Sequence, residues 1–198
     1  MEQGNNAAMR RLLSACVPGD ILEGTVAEIS AEGCVIAKDG ARLFLPSERI
    51  ARSPLCGPAR FRVGQTVPCA VWKIDRNTHV ITATHRELLG TFDELARGIL
   101  PGNECTARVA GDGLAELAPN LVARVSSDAV GAGIGEAVIF RVTSIDYLRG
   151  EIAGEITART EQSADSPFTY YITNGRIKHW SFHAPQQFFC TDETFFTA

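Results

Sequence analysis

The sequence predicts an all-β protein made of two tandem five-stranded barrels, and two observations lead to that prediction. A twelve-residue phrase occurs twice, as GQTVPCAVWKID at residues 64–75 and as GEAVIFRVTSID at residues 135–146. Each copy begins with glycine, ends with Ile-Asp and carries apolar residues between, a pattern typical of one strand with a turn at either end. Similar openings, PGDILEGTV from Pro18 and PGNECTARV from Pro101, precede the two copies. The repeat therefore indicates two copies of one small β-rich unit.

The second unit is expected to be the shorter of the two. Fewer residues separate the opening from the repeated phrase in the second unit than in the first. Because insertions and deletions concentrate in surface loops, the roughly dozen missing residues are predicted to come from the middle of the unit. The short glycine-rich segment GAGIG stands at that place in the sequence.

Five strands are predicted in the first unit, residues 19–86. Apolar and polar residues alternate over short runs that are bounded by glycine, proline or the Asp39-Gly40 pair, which is a tight-turn signal. A long connection with three prolines, from Pro46 to Val63, separates the third strand from the fourth. Five antiparallel strands with a long loop in this position are typical of an OB-type barrel. The predicted strands are Ile21 to Ile29, Gly33 to Ala37, Arg42 to Leu45, Thr66 to Ile74 and Val80 to Thr84.

A short helical linker is predicted between the two units, at residues 87–101. Apolar residues recur there at the spacing of one helix face, and Gly98 with the Pro101-Gly102 pair ends the helix. The second barrel then occupies residues 102–160. Its predicted strands are Glu104–Val109, Gly113–Leu117, Leu121–Val125, Ala137–Ile145 and Glu151–Ile156.

The two ends of the chain lie outside the predicted barrels. Residues 1–18 are interpreted as an N-terminal arm or short helix, because their apolar stretch is too brief for a secretion signal. Residues 161–198 hold nine of the 15 aromatic residues, and Asn174-Gly175 between two alternating segments predicts a β-hairpin. Since a lone hairpin is barely stable in water, this aromatic tail is expected to pack on the second barrel or on a partner chain.

The charge is distributed unevenly between the two units. The whole chain has a net charge of −4. Residues 19–88 carry nine Lys/Arg against eight Asp/Glu, whereas residues 89–160 carry six against ten. A polyanion is therefore expected to prefer the first unit.

The sequence predicts neither a metal nor another cofactor, and it predicts a binding protein rather than an enzyme. The six cysteines form no CxxC pair and have no histidine at zinc spacing. Cys34 and Cys69 lie inside apolar strand patterns and are interpreted as small buried hydrophobes of a reducing, cytoplasmic compartment. No P-loop, G-x-S-x-G or H-E-x-x-H motif occurs. No apolar run approaches 18 residues, so neither a transmembrane helix nor a membrane partner is expected.

Nearly all of residues 19–88 resembles the S1 domain, the RNA-binding OB-fold repeat of ribosomal protein S1. The segments that carry the resemblance are GTVAEI at 24–29, GCVIA at 33–37, LFLPSE at 43–48, RFRVGQTV at 60–67 and VWKIDRNTHVITAT at 71–84. The second unit keeps only the framing glycines and the repeated strand, so it resembles a shortened, degenerate copy. The resemblance implies that the first unit is an OB barrel that binds single-stranded RNA by stacking bases on aromatic side chains.

The resemblance also implies where the site lies, on the second and third strands and the loop that borders them. Two positions that are aromatic in the family are Glu32 and Val35 here, and Pro46 replaces a third. Phe44 could stack a base or pack in the core, and Trp72 could face outward or pack inside. The predicted RNA-binding residues are Arg42, Phe44, Arg49, Arg52, Arg60, Arg62, Lys73, Asp75 and His79.

Asp75 has a further role in this interpretation. Because an aspartate bonds the backbone of the turn that follows it, Asp75 is expected to cap the turn after the fourth strand.

Two functions follow as alternatives. The first is non-enzymatic binding of single-stranded RNA, with single-stranded DNA or ribosome-associated RNA as variants of that partner. The second is a protein-interaction or assembly module that has kept the fold and lost the nucleic-acid face. The tail fits either alternative, since its mixture of aromatic and basic residues could form a second stacking surface, fill a core or form a dimer seam. These tail residues are Tyr170, Tyr171, Arg176, Lys178, His179 and Trp180.

Overall fold

The computed structural model describes residues 2–55, 57, 60–160, 169–173 and 176–181, the last two ranges and residues 2–6 by their backbone alone. The chain divides into two compact units. The first unit comprises the chain up to Ala51 and from residue 56 to Leu88. The second comprises Arg52–Leu55 and the chain from Leu89 onward.

The first unit is a closed OB-type barrel with strand order β1-β2-β3-β5-β4, as the sequence predicts. A helix, α1 (Glu2–Ala15), precedes it, and a 3₁₀ turn (Ser47–Arg49) follows β3. Among the described residues, no helix is long and apolar enough to cross a membrane. The strands are β1 (Ile21–Ser30), β2 (Gly33–Lys38), β3 (Ala41–Pro46), β4 (Thr66–Asp75) and β5 (Val80–Thr84).

Alternation along the strands builds the core of this barrel. Successive side chains of a strand point to opposite faces, so Leu43 and Leu45 of β3 are buried while Arg42 of the same strand remains exposed. The tight turn between β2 and β3 has positive φ at both central residues, +50° at Asp39 and +81° at Gly40. These values are typical of a type I′ turn, which suits the twist of a two-residue hairpin.

The helical linker is present as two separate short turns. A 3₁₀ turn at Arg86–Leu88 is followed by α2 (Phe92–Leu95). Gly90, at a φ of +91°, interrupts the helix between them. Thr91 and Glu94 then form a capping box that starts α2, because each side chain accepts a hydrogen bond from the backbone of the other.

The second barrel is also closed, with strand order β10-β8-β7-β6-β9. The connection between β8 and β9 covers only residues 129–136, whereas the one between β3 and β4 covers residues 47–65, so the missing residues come from the predicted place. Phe140, Leu121 and Ile152 lie in its core. The strands are β6 (Glu104–Gly111), β7 (Leu114–Ala118), β8 (Leu121–Asp128), β9 (Ala137–Asp146) and β10 (Glu151–Arg159).

Asp128 stabilises this short connection. Its Oδ1 accepts hydrogen bonds from the amides of Val130 and Gly131, at 3.0 and 2.9 Å, and its Oδ2 accepts one from the amide of Ala132 at 2.8 Å. These bonds from the loop backbone hold the pKa of the Asp128 carboxyl below its usual value.

The predicted C-terminal hairpin is present in the backbone. Strands β11 (Thr169–Thr173) and β12 (Arg176–Ser181) pair antiparallel, with Tyr170 opposite Trp180. The turn residues 174 and 175, and the side chains proposed for a tail stacking surface or dimer seam, lie outside what the structure describes.

Four cysteines of the described residues, Cys16, Cys34, Cys69 and Cys105, are buried free thiols, as the apolar strand patterns around Cys34 and Cys69 predict for those two. Burial raises the pKa of Cys34 to about 11 and that of Cys69 to about 12. Burial, together with the nearby charge of Glu104, raises the pKa of Cys105 to about 12.

We expect iodoacetamide at pH 8 to leave Cys34, Cys69 and Cys105 unmodified in the native protein, because only the thiolate reacts and these thiols are buried and protonated. Peptide mass spectrometry after timed quenching would measure this, with protein unfolded in urea as the control. Rapid native labelling of Cys69 would contradict the burial.

Candidate nucleic-acid interface

One row of side chains crosses the outer face of the first barrel. It follows the strand register from Glu28 on β1 to Val35 on β2, Phe44 on β3, Thr82 on β5 and Lys73 on β4. Phe44 and Lys73 both pair with Thr82, from its two sides. The order of the strands in the barrel thus places Phe44 and Lys73, which are far apart in the sequence, on either side of Thr82.

Phe44 lies on the outer face rather than in the core. Its neighbours Leu43 and Leu45 are buried, whereas Phe44 is only partly covered. Arg42 lies on the same face two residues earlier, and its guanidinium is 2.5 Å from the carboxylate of Glu28. This ion pair is exposed, so it leaves Arg42 accessible and contributes little to stability.

A β-bulge exposes two successive residues of β4. Val71 pairs with Ala83 and Lys73 pairs with Thr82, so Trp72 is an extra residue between two successive partners. A bulge leaves its extra residue outside the ladder and re-aims its side chain. Trp72 and Lys73 are therefore both exposed, the tryptophan by 43%.

Arg49 stacks on Trp72. The guanidinium carbon lies 3.6 Å from the centre of the indole ring, and the Arg49 side chain is only 19% exposed. Its Nη1 also lies 3.3 Å from Oε1 of Glu87, while its backbone oxygen accepts hydrogen bonds from the amide of His85 and from Oγ1 of Thr84. A cation over an indole face is the strongest of the cation–π pairs. Here Glu87 holds the guanidinium, and the two hydrogen bonds to the backbone oxygen hold the main chain of Arg49.

Glu87 connects this group of residues. Its Oε1 accepts from Arg49 and from Arg86 Nε at 3.2 Å, and its Oε2 accepts from the hydroxyl of Thr84. Burial alone would raise the pKa of Glu87, but the hydrogen bonds from Thr84 and Arg86 lower it below its usual value. The carboxylate is therefore charged at neutral pH.

Asp75 caps the turn after β4, as predicted. Its Oδ1 accepts from the amides of Thr78 and Asn77, at 3.1 and 2.9 Å, and these bonds lower the pKa of the carboxyl. The turn leads into His79, which is exposed and has a φ of +55°. Asp75 thus shapes the turn between β4 and β5.

The second copy of the repeated phrase uses its last residue in the same way. Asp146 accepts from the amides of Leu148 and Arg149, both at 3.0 Å. The closing aspartate of the repeat is therefore a structural feature of both barrels.

The remaining predicted residues of the long loop are not brought together. Arg52 belongs to the second unit, where its amide donates to Oδ1 of Asn120 at 3.1 Å. Arg62 is exposed, and its amide donates to Gln65. Arg60 is partly buried, and its charge acts on His85.

Among the described residues, exposed cations without an ion pair lie on the first barrel and also, at Arg52 and Arg97, in the second unit. Within the described residues, Arg62, Lys73 and Arg76 make no ion pair, and all three are exposed. Four arginines of the second barrel pair with carboxylates instead: Arg124 with Glu151, Arg141 with Glu104 and Glu155, Arg149 with Asp146, and Arg159 with Glu136. Ion pairs occur in the first unit as well, where Lys38, Arg42, Arg49 and Arg86 contact carboxylates.

Trp72 and Glu87 are the residues that the sequence prediction of the site omits. Their contribution depends on a bulge and on contacts between distant segments, and the one sequence signal is the run Val71-Trp72-Lys73, in which an aromatic residue precedes a cation. Across the part of the chain that the structure describes, no three His, Cys, Asp or Glu side chains are grouped so that they could hold a metal ion.

No protein-family model matches the chain, and no curated protein matches it. Among solved structures it is similar to the a/eIF2alpha–aDim2p–rRNA complex of Pyrococcus horikoshii, with 20% identity and a TM-score of 0.34, over 37% of this chain and 46% of that chain. It is similar to GSP13 of Bacillus subtilis with 17% identity and a TM-score of 0.36, over 38% of this chain and 60% of that one. A multidomain protein with nucleic acid binding domains from Streptococcus pneumoniae matches with 16% identity and a TM-score of 0.26, over 70% of this chain and 45% of that one. The chain thus spans less than half of the first of these structures.

Proposed function

We propose that the first barrel binds single-stranded RNA, without catalysis, through the outer row of Phe44, Thr82 and Lys73. The observation that carries this proposal is the strand register, which gives Phe44 and Lys73 the same partner. An aromatic ring with cations beside it is the arrangement that binds successive bases and phosphates of a single strand. Arg42 lies on the same face, and the exposed Arg62 and Arg76 add positive charge to the first barrel.

The same surface would bind single-stranded DNA or a single-stranded region of ribosomal RNA, because stacking and phosphate attraction depend neither on the sugar nor on the base sequence. The buried free thiols support a reducing compartment such as the cytoplasm.

Lys73→Ala is expected to weaken RNA binding for all sequences and to reduce the slope of log K against log salt concentration by about 0.7, the contribution of one phosphate contact in a single strand. Fluorescence anisotropy of a labelled single-stranded RNA at several salt concentrations would measure both quantities. Arg149→Ala is the matched control, since it removes one positive charge from the second barrel and should leave the slope unchanged.

Two outcomes would refute the proposal. One is that the wild-type protein binds no single-stranded RNA even at low salt. The other is that the Lys73 and Arg149 variants lose affinity equally, since binding would then follow net charge and not the outer row.

The alternative function, a protein-interaction or assembly module, is favoured by the second barrel. Its four paired arginines present little free positive charge. Leu148 at its β9–β10 turn is fully exposed, beside the half-exposed Tyr147. Light scattering of the full chain and of a Leu148→Ser variant would test self-association, and an unchanged monomeric mass for both would leave no support for it.

A further inference from the structure

We propose that the groove beside Trp72 is a base-binding site, which stacks one nucleobase on the indole and favours bases with an exocyclic amino group over uracil. The site lies beside the outer row, is built from residues that the row does not use, and deepens the proposed RNA-binding function on which it rests.

The groove is a concave, largely apolar feature of the first barrel. It has a volume of about 380 Å³, at the lower end of the range of small-molecule sites. Apolar side chains form most of its wall, and Glu87 and Thr84 supply its polar groups. Its apolar lining includes Pro18, Ile21, Ala70, Val71, Trp72 and Leu88.

Trp72 presents a stacking surface to this groove. Arg49 covers the ring from 3.6 Å but does not line the groove, so the part of the indole that faces the groove is not the part under the guanidinium. An aromatic ring in contact with a cation suits a nucleobase, because every base has a π-face and Arg strengthens such stacks.

The surrounding contacts hold this surface in place before a ligand arrives. Arg49 is fixed by its ion pair with Glu87 and by the two hydrogen bonds that its backbone oxygen accepts. Because the side chains are already ordered, binding costs little further conformational entropy. The two guanidiniums of Arg49 and Arg86 outweigh the single carboxylate, so the group does not repel a phosphate chain.

Glu87 gives the site its chemical preference. A carboxylate only accepts hydrogen bonds and offers about four positions for them. Arg49, Arg86, Thr84 and its own backbone amide donate to it, but the side chain is still 46% exposed. Adenine, cytosine and guanine can donate an amino hydrogen to the exposed side of this carboxylate, whereas uracil presents two carbonyl oxygens around a single N–H and is disfavoured.

The test uses the full-length protein with Trp180→Phe, so that Trp72 is its only indole, since the chain has two tryptophans. Single-stranded oligomers of adenylate, cytidylate and uridylate are titrated at low salt while Trp72 emission and labelled-RNA anisotropy are followed. We expect quenching of Trp72 emission and tighter binding of the adenylate and cytidylate oligomers than of uridylate.

Two variants separate stacking from base preference. In the unmodified Trp180 background, Trp72→Leu keeps an apolar side chain and should weaken adenylate binding by about tenfold to a hundredfold, the effect of losing one stacked base. Glu87→Gln supplies a hydrogen-bond donor as well as an acceptor. The ratio of the affinity for adenylate oligomers to that for uridylate oligomers should therefore fall toward one, while RNA binding still quenches Trp72 emission. Thermal melting shows whether each variant remains folded, and Trp72→Phe, which keeps a ring, should restore most of the affinity.

Failure of this inference is distinguishable from failure of the proposed function. If RNA binds with the expected salt dependence while Trp72 emission and the Trp72→Leu affinity stay unchanged, the groove is not a base site but the outer row still binds. If every oligomer binds with equal affinity, the role of Glu87 is refuted. If no oligomer binds, both proposals are refuted.

Discussion

Lowering the pH from 6.5 to 4 is expected to destabilise the first barrel by about 3 kcal/mol, because His85 is buried in its neutral form. The side chain is fully buried, and its Nδ1 lies 2.7 Å from the backbone oxygen of Pro68. Burial, with a smaller effect from the charge of Arg60, lowers the pKa of His85 to about 4, although the hydrogen bond with Pro68 and the charge of Glu87 oppose the shift. The folded protein thus resists protonation of His85.

The sign of the effect follows from the two states. Between pH 6.5 and 4 the unfolded chain binds a proton on His85 that the folded barrel does not bind. The contribution of neutral His85 to the free energy of unfolding is therefore present in full above pH 6.5. It falls by about 1.4 kcal/mol per pH unit as the pH drops toward 4.

Urea unfolding of the full chain with Trp180→Phe, followed by Trp72 emission, would measure the stability of the first barrel at pH 7, 6 and 5. His85→Gln is the matched variant, because an amide can still donate to Pro68 but does not titrate. Its stability should be lower at pH 7 and nearly independent of pH between 6.5 and 5. Equal pH dependence of the two proteins would contradict the role of His85.

Much of the architecture is encoded locally, which is why it could be predicted from the sequence. The strands of both barrels begin and end within a few residues of their predicted limits, since period-2 alternation and glycine turns act over short distances. The linker differs from a continuous helix because Gly90 adopts a positive φ, which favours a break over a further helical turn.

The candidate site could be predicted only in part. The alternation of β3 correctly places Arg42 and Phe44 outside the barrel. The pairing of Phe44 with β5 and the stacking of Arg49 on Trp72 join segments that are distant in the sequence, and the exposure of Trp72 depends on a bulge. Strict alternation cannot predict a bulge. After one extra residue, the following side chains point to the opposite face from the one that alternation assigns to them.

The assignment of Arg52 illustrates the same limit. The sequence groups it with the other arginines of the long loop, but its amide bonds Asn120 and its segment belongs to the second unit. Sequence proximity within a long loop therefore does not establish a common binding surface.

Gly33→Ala is expected to destabilise the first barrel by about 4 kcal/mol, because the added methyl group has no room and the backbone is unfavourable for it. Gly33 opens β2 with a φ of +153°. A Cβ at this position would lie 2.2 Å from the backbone oxygen of Leu45 and 2.9 Å from Cα of Pro46. Both are backbone atoms of the neighbouring strand β3, so relief would require β2 and β3 to separate.

Gly64→Ala is the matched control for this effect. Gly64 also has a positive φ, +87°, but a Cβ there would meet nothing within 4 Å. The control should therefore cost only about 1 kcal/mol, from the left-handed backbone. Urea unfolding followed by Trp72 emission in the Trp180→Phe background would compare the two variants at pH 7. If both variants lost the same free energy of unfolding, the close approach of β3 to Gly33 would contribute nothing to that loss. Glycine would then be required at this position only for its backbone angle.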